Sequence, residues 1–286
     1  MTTHNPRSTP AHITQQLEDM MVRKNLRGMK QMQPFLQPGY FQRAAEMVYR
    51  CKGTILIGTG FPVVGTFETD GPVGAIALYD TLKHLGANPV LVCGRPLSLV
   101  VSQDYQTYEI SIGDVSKGPE EAREALETLK PDLVISIERP GLSANNCYNN
   151  MRGEDISERC ACFDYFMDYA TCPTIAIGDG GNEIGMGNIR SELEALDIVP
   201  ATTACDELLI ADVSNWAAHG LIALLGYWAR EDLLARIDIL SILEYTSRNG
   251  SVDGVTRENT LTEDGLEASD GQQLINDLRA LTGFIS

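Results

Sequence analysis

Short β-branched, apolar runs alternate along this chain with longer stretches of helical periodicity. Thr54–Ile57, Pro89–Cys93, Tyr108–Ser111, Asp132–Ile137, Thr174–Ile177 and Leu208–Ala211 read as strands. Gly74–Leu85, Pro119–Leu129, Ser157–Tyr169, Asn215–Ala229, Leu233–Tyr245 and Gln272–Leu281 read as helices. Ser157 suits an N-cap, with Cys160, Phe163, Phe166 and Met167 on the apolar side of its helix. Ahead of the first strand, residues 1–10 are polar and hold two prolines, as a mobile tail would. A helical pattern then runs from His12 to about Met32, with Ile13, Leu17, Met20 and Met21 on one face. A second runs from Tyr40 to Tyr49, after the Pro34 and Pro38 breaks. Strands separated by helices predict an α/β fold: a mostly parallel, doubly wound (Rossmann-like) sheet covered on both faces, with an N-terminal helical arm. The expected organisation is a single domain over residues 1–286, with tail and arm in 1–50 and a catalytic core in 51–286.

Composition narrows the partners. The 286 residues carry a net charge of -17, which opposes nucleic-acid binding, because phosphates need basic patches. No apolar run reaches the ~18 residues of a membrane span. The seven cysteines form no CxxC pair and several sit in apolar runs, as reduced thiols of an intracellular protein do. Cys160 and Cys162 do not read as a metal pair, since i,i+2 positions diverge on the expected helix.

Polar residues collect where strands end, the ligand-binding edge of an open α/β sheet. Thr174–Ile177 runs into Gly-Asp-Gly-Gly-Asn-Glu-Ile-Gly-Met-Gly-Asn, residues 178–188, which places Asp179 and Glu183 at a strand terminus. Residues 58–72 hold Gly58, Gly60, Glu68 and Asp70, but neither the dinucleotide GxGxxG nor the P-loop pattern, so no nucleotide cofactor is expected. Residues 138–155 hold Glu138, Arg139, four asparagines and Arg152, and an arginine grips carboxylates well. Asp212–Trp216 and Arg248–Gly254 complete the set. None of the four histidines belongs to a triad or an HExxH pattern, and His219 reads as a core residue. Carboxylates, amides and arginines around a cleft suit a small acidic or zwitterionic ligand and a hard divalent cation.

These loops resemble the D-glutamate cyclase family. The resemblance lies in Gly58–Phe61, Glu68–Pro72, Glu138–Gly141, Tyr148–Gly153, Ile177–Asn188 and Asn249–Gly254, and spans roughly residues 12–260. It implies conversion of D-glutamate to 5-oxo-D-proline and water, a hydro-lyase reaction. It also implies a cytoplasmic location for a bacterial stand-alone form, or the mitochondrial matrix for a eukaryotic one.

The chemistry of that ring closure suggests roles. The amine must lose a proton, the γ-carboxylate must lose charge and the departing oxygen must gain protons. Asp179 and Glu183 are candidate ligands of Mg²⁺ or Mn²⁺, with Glu68, Asp70 or Asp212 completing the shell. Glu138 is the candidate acid or base, and Arg139 or Arg152 the anchor of the α-carboxylate. Gly60, Glu68, Asp70, Asn149, Asn182 and the Gly180–Gly181 amides are candidate substrate contacts. Two other readings fit the same residues: a metal-dependent phosphatase or other hydrolase, and a non-catalytic sensor of an acidic metabolite. A homo-oligomer is compatible with all three.

Overall fold

The computed structural model describes residues 9–286. Six parallel strands form the central sheet: β1 (Thr54–Thr59), β4 (Asn88–Cys93), β5 (Thr107–Glu109), β6 (Leu133–Ile137), β7 (Thr174–Gly178) and β8 (Glu207–Ile210). Two small antiparallel pairs accompany them, β2 (Pro62–Val63) with β3 (Thr66–Phe67), and β9 (Thr262–Glu263) with β10 (Leu266–Glu267). The helices are α1 (Ala11–Met21), α2 (Met29–Met32), α3 (Tyr40–Arg50), α4 (Pro72–His84), α5 (Leu97–Val101), α6 (Gly118–Leu129), α7 (Asp164–Asp168), α8 (Arg190–Leu193), α9 (Ser214–Ala229), α10 (Ile239–Arg248) and α11 (Ala268–Leu281).

The strand order β5-β4-β1-β6-β7-β8 is the doubly wound arrangement that the alternation predicts. β6 and β7 are buried along their whole length, because helices cover both faces of a parallel sheet. α9 packs against α3, α4 and α11, and α6 packs separately with α7. The apolar α9 is buried from Ser214 to Gly226. The chain order reverses between β1 and β6, so loops leaving their C-terminal ends diverge and open a crevice there.

Several elements differ from the sequence expectation. The helix expected to Met32 stops at Met21. Asp212 draws the backbone N–H groups of Lys24 and Leu26 to its carboxylate at 2.7 and 3.3 Å, and so holds residues 22–28 as a loop. Thr9 is docked rather than mobile: its hydroxyl accepts from Trp228 Nε1 at 3.0 Å; the rest of that polar segment, up to residue 8, lies outside the described residues. The helix expected over Ser157–Tyr169 is a 3-10 turn at Ser157–Arg159, an extended stretch and the short α7. Ser157 does not cap it; its hydroxyl bonds Asp155 at 2.6 Å and accepts from the Tyr148 N–H at 2.9 Å. Extension at Cys160–Cys162 has a cause: Gly113 N–H donates to Cys160 O at 2.9 Å, and the buried Arg139 guanidinium donates to Ala161 O. Leu233–Tyr245 likewise divides, and Asp238 caps α10 through the Ser241 N–H at 3.1 Å.

Candidate active site

The crevice is fastened from below by one asparagine. Asn215, at the start of α9, is fully buried. Its side-chain oxygen accepts from Gly71 and Gly74 N–H at 2.8 and 2.7 Å, and its amide donates to Thr69 O at 3.2 Å and Glu263 Oε1 at 2.7 Å. Asp70 reinforces the junction by accepting from Ser214 and Asn215 N–H at 2.9 and 2.8 Å, a carboxylate at a helix N-terminus. The loop after β1 is thus tied to the loop after β8. Gly71 has φ +93°, and a Cβ there would stand 2.9 Å from Glu138 Cβ, so only glycine lets the two strand ends meet.

Above this junction lies a cleft of ≈ 270 Å³, walled by Glu68, Glu138, Asp179, Asn182, Glu183 and Asp264, with Arg27, Arg152 and Arg257 among its other lining residues. Carboxylate oxygens of Asp70, Glu138 and Asp179 lie within 4.8 Å of one another. Glu138 sits in left-handed backbone (φ +47°), a conformation that costs a non-glycine residue free energy, and its carboxylate accepts from Ser214 Oγ at 2.5 Å. Arg27 Nη2 donates to Asp179 Oδ2 at 2.7 Å and also to Asp264. Arg257 Nη1 donates to Glu68 Oε1 at 2.8 Å.

Burial governs the protons. It pushes Glu138 well above the ordinary carboxylate range, and the neighbouring Asp179, Glu183 and Asp70 push it further. Burial and then Asp264 raise Asp70 well above its ordinary value. Asp179 is likewise raised well above its ordinary value by burial, against the opposing pull of Arg27. Burial raises Glu68 to about 7, with Arg257 and Arg27 opposing. Burial works against the Arg27 guanidinium, but Asp179 and Asp264 outweigh it and hold its pKa well above the usual value. The crevice therefore gathers carboxyls held above the ordinary carboxylate range around a cation fixed in its charged form.

A family model described as D-glutamate cyclase-like, C-terminal, matches residues 17–279. The chain belongs to the D-glutamate cyclase-like family. The human protein "D-glutamate cyclase, mitochondrial" (Homo sapiens) is 32% identical over 195 residues, which are 59% of this chain and 32% of the human one. The chain thus spans about a third of the length of that curated relative. Among solved structures, an exopolyphosphatase-related protein from Bacteroides fragilis is similar over 87% of this chain and 62% of its own, at 10% identity and a TM-score of 0.44. A second, gox2181, is similar over 65% and 70%, at 13% identity and a TM-score of 0.28.

Within this member of the D-glutamate cyclase-like family, Glu68, Glu138, Asp179, Asn182 and Glu183 line one cleft with Arg152 in its wall, and Asp70 meets Glu138 and Asp179 beneath it. Glu183 and Glu68, expected in the metal shell, stand outside that trio, the first held by glycine amides and the second by Arg257. Other candidate residues are engaged elsewhere. Arg139 is buried and donates to Thr59 O at 3.0 Å and to Ala161 O, so it braces the ends of β1 and β6 rather than presenting a carboxylate anchor. Asp212 is spent on the Lys24 and Leu26 amides and stands outside the carboxylate cluster. The Gly180 and Gly181 amides hold Glu183 at 3.0 and 2.7 Å, so they orient an acid instead of meeting a ligand. Asn149 supports the loop, donating to Gly153 O at 3.1 Å and accepting from Asn182 Nδ2 at 2.9 Å. Gly60 borders Leu97 in a neighbouring small hollow. Arg27, Arg257 and Asp264 complete the cleft. Asp264-Gly265 is a turn signal in the sequence, and nothing local marks the two arginines.

No helix among the described residues is long and apolar enough to cross a membrane.

Proposed function

We propose that this protein closes D-glutamate to 5-oxo-D-proline with loss of water. The observation that carries the reading is the cluster of buried, closely spaced carboxyls at the strand-order reversal of a D-glutamate cyclase-like fold. The cleft is polarised for an acidic amino acid. Asp179 and Glu183 suit the α-ammonium, and Arg152 and Arg257 suit a carboxylate. Bound in a folded conformation, the substrate nitrogen and its Cδ become near neighbours, which removes much of the entropic barrier.

Ring closure moves two protons from nitrogen to the departing oxygen. Asp179, whose charged form the adjacent Arg27 guanidinium favours, takes a proton from the ammonium. Glu138, in its protonated form, gives one to the γ-carboxyl group and so removes the charge that makes a carboxylate a poor electrophile. The N–Cδ bond forms, a Cδ–O bond breaks, and water leaves once the second proton has followed the same route. Among the described residues the Asn182 side-chain oxygen has no hydrogen-bond partner, and it offers an acceptor to the amine. The oxygens of Asp70, Glu138 and Asp179 also fit a divalent cation such as Mg²⁺ or Mn²⁺, because all three are hard donors within one small buried space. When bound, that ion would polarise the γ-carboxyl group in place of the protons the carboxyls otherwise carry.

The test is NMR of D- and L-glutamate incubated with the purified protein, with and without added Mn²⁺. Ring formation from the D-enantiomer supports the reading. Binding without turnover, seen as thermal stabilisation alone, overturns it in favour of a sensor.

A further inference from the structure

A second hollow, of ≈ 370 Å³, opens beside the acid cleft and shares Asn150, Arg152 and Arg257 with its wall. Its character is the reverse of the cleft. Arg159 joins Arg152 and Arg257 around it, while Glu154 is the one acid in the lining. That acid is already hydrogen-bonded by Asn150 Nδ2 at 2.6 Å. Among the described residues Arg152 and Arg159 form no ion pair, whereas Arg257 engages Glu68 through one nitrogen. In a protein of net charge -17, three arginines around one hollow next to a catalytic cleft form a pronounced local reversal of sign. Val63, Val64 and Ile156 supply an apolar side to it. The cleft alone has room for one amino acid, so the hollow has a volume that free glutamate does not need.

We propose that the hollow receives the amine half of a γ-D-glutamyl amide, an amine that itself carries a carboxylate, and that the protein cyclises such amides with release of that amine. The inference rests on the cyclisation reading above. An amide is the better-matched electrophile for this floor. A γ-carboxylate must approach Asp70, Glu138 and Asp179 as an anion, whereas an amide carbonyl approaches uncharged. The leaving amine points away from the floor, and its carboxylate meets Arg159, the arginine of the hollow that the cleft does not share, while Arg152 and Arg257 hold the glutamyl carboxylate between the two. The step balances. The α-nitrogen bonds to Cδ, the Cδ–N bond to the leaving amine breaks, and the two protons lost by the attacking ammonium end on the leaving nitrogen. No water, oxidant or other co-reactant enters.

The experiment incubates the purified protein separately with free D-glutamate, γ-D-glutamyl-L-glutamate and γ-D-glutamyl ethylamide, each with and without Mn²⁺, and follows 5-oxoproline and released amine by NMR. The expected result is a kcat/KM for the dipeptide about tenfold above that for the ethylamide, the scale of one charge-assisted contact. Arg159→Gln should bring that ratio close to unity within the same variant. Cyclisation of the dipeptide but not of D-glutamate supports the inference and moves the function to amides. Cyclisation of D-glutamate alone overturns the inference and leaves the proposed function standing. No ring from any of the three overturns both. Equal rates for dipeptide and ethylamide in the parent protein overturn the arginine assignment.

Discussion

Arg27 Nη2 stands 2.7 Å from Asp179 Oδ2, across 152 residues of sequence. The contact joins the loop between α1 and α2 to the end of β7, and Asp264 completes it from the far end of the sequence. The N-terminal arm thus supplies the cation of a cleft whose acids come from the sheet. Both partners are largely shielded from water, so removing one leaves the other uncompensated. Arg27→Met should lower stability by about 3 kcal/mol, the lower end of the cost of breaking a buried pair. Urea denaturation checks it, and Arg27→Met combined with Asp264→Asn should recover part of the loss. Full stability in the single variant would show that the pair contributes nothing.

Asn215 meets both loops at the base of the cleft through four side-chain hydrogen bonds. Asn215→Ala strands the Gly74 N–H and Glu263 Oε1 in a dry interior, whereas Gly71 N–H keeps Asp70 Oδ1 at 2.9 Å. The expected loss is roughly 3 kcal/mol, from about 1–3 for each buried unsatisfied group. Activity should fall further than stability does, because Asp70 and Glu138 depend on the same junction. Turnover of the folded fraction, measured well below the unfolding midpoint, separates the two effects.

The sheet was legible because its strands are short, apolar and punctuated by polar loops, and the burial of Leu133–Ile137 along its whole length follows from that pattern. The carboxylate cluster was legible for a related reason: Glu138 and Asp179 directly follow strands, and topology brings those strand ends together. Arg27 was not legible, since its position is set by Asp212 holding the Lys24 and Leu26 amides, a contact no local pattern encodes. The helix expected over Ser157–Tyr169 failed for a similar cause. A buried Arg139 needs acceptors, and drawing the Ala161 carbonyl to it favours an extended chain there over a helical ladder. Glycine-rich Gly180–Gly181 suggested donors for a ligand, but Glu183, a few residues on, takes both amides.

Two buried groups predict opposite pH slopes. Burial lowers His219 to about 4 from 6.5, so the folded state keeps the ring neutral where the unfolded state is protonated. Its stability contribution is full above pH 6.5 and is lost as pH falls from there toward 4. Burial raises Glu263 to about 7 from 4.5, with the hydrogen bond from Asn215 opposing, so the folded state holds a proton the unfolded state releases. Stability is therefore lost as pH rises from 4.5 toward 7. His219→Leu should flatten the acid limb, by about 2 kcal/mol between about pH 7 and about pH 5. Glu263→Gln should flatten the opposite limb. Denaturation curves of parent and variants at those two pH values decide it, and parallel curves for parent and His219→Leu would refute the first.

A bound metal ion would separate two aspartates that the sequence treats alike. Asp179 contributes an oxygen to the three-carboxylate cluster, whereas both Asp212 oxygens serve the Lys24 and Leu26 amides. If Mn²⁺ binds the folded protein at the cluster, it stabilises by RT ln(1 + [L]/Kd), about 2.7 kcal/mol at a hundredfold excess over Kd. Asp179→Asn should abolish that response, because an amide oxygen is a weaker donor and the cluster loses a negative charge. Asp212→Asn should keep it, although its lower starting stability reflects a loosened loop. Thermal unfolding during a Mn²⁺ titration, reversed with a chelator, reads both. An equal shift in Asp179→Asn and the parent would place the ion away from the cluster, and the task of withdrawing charge would fall to the Glu138 proton.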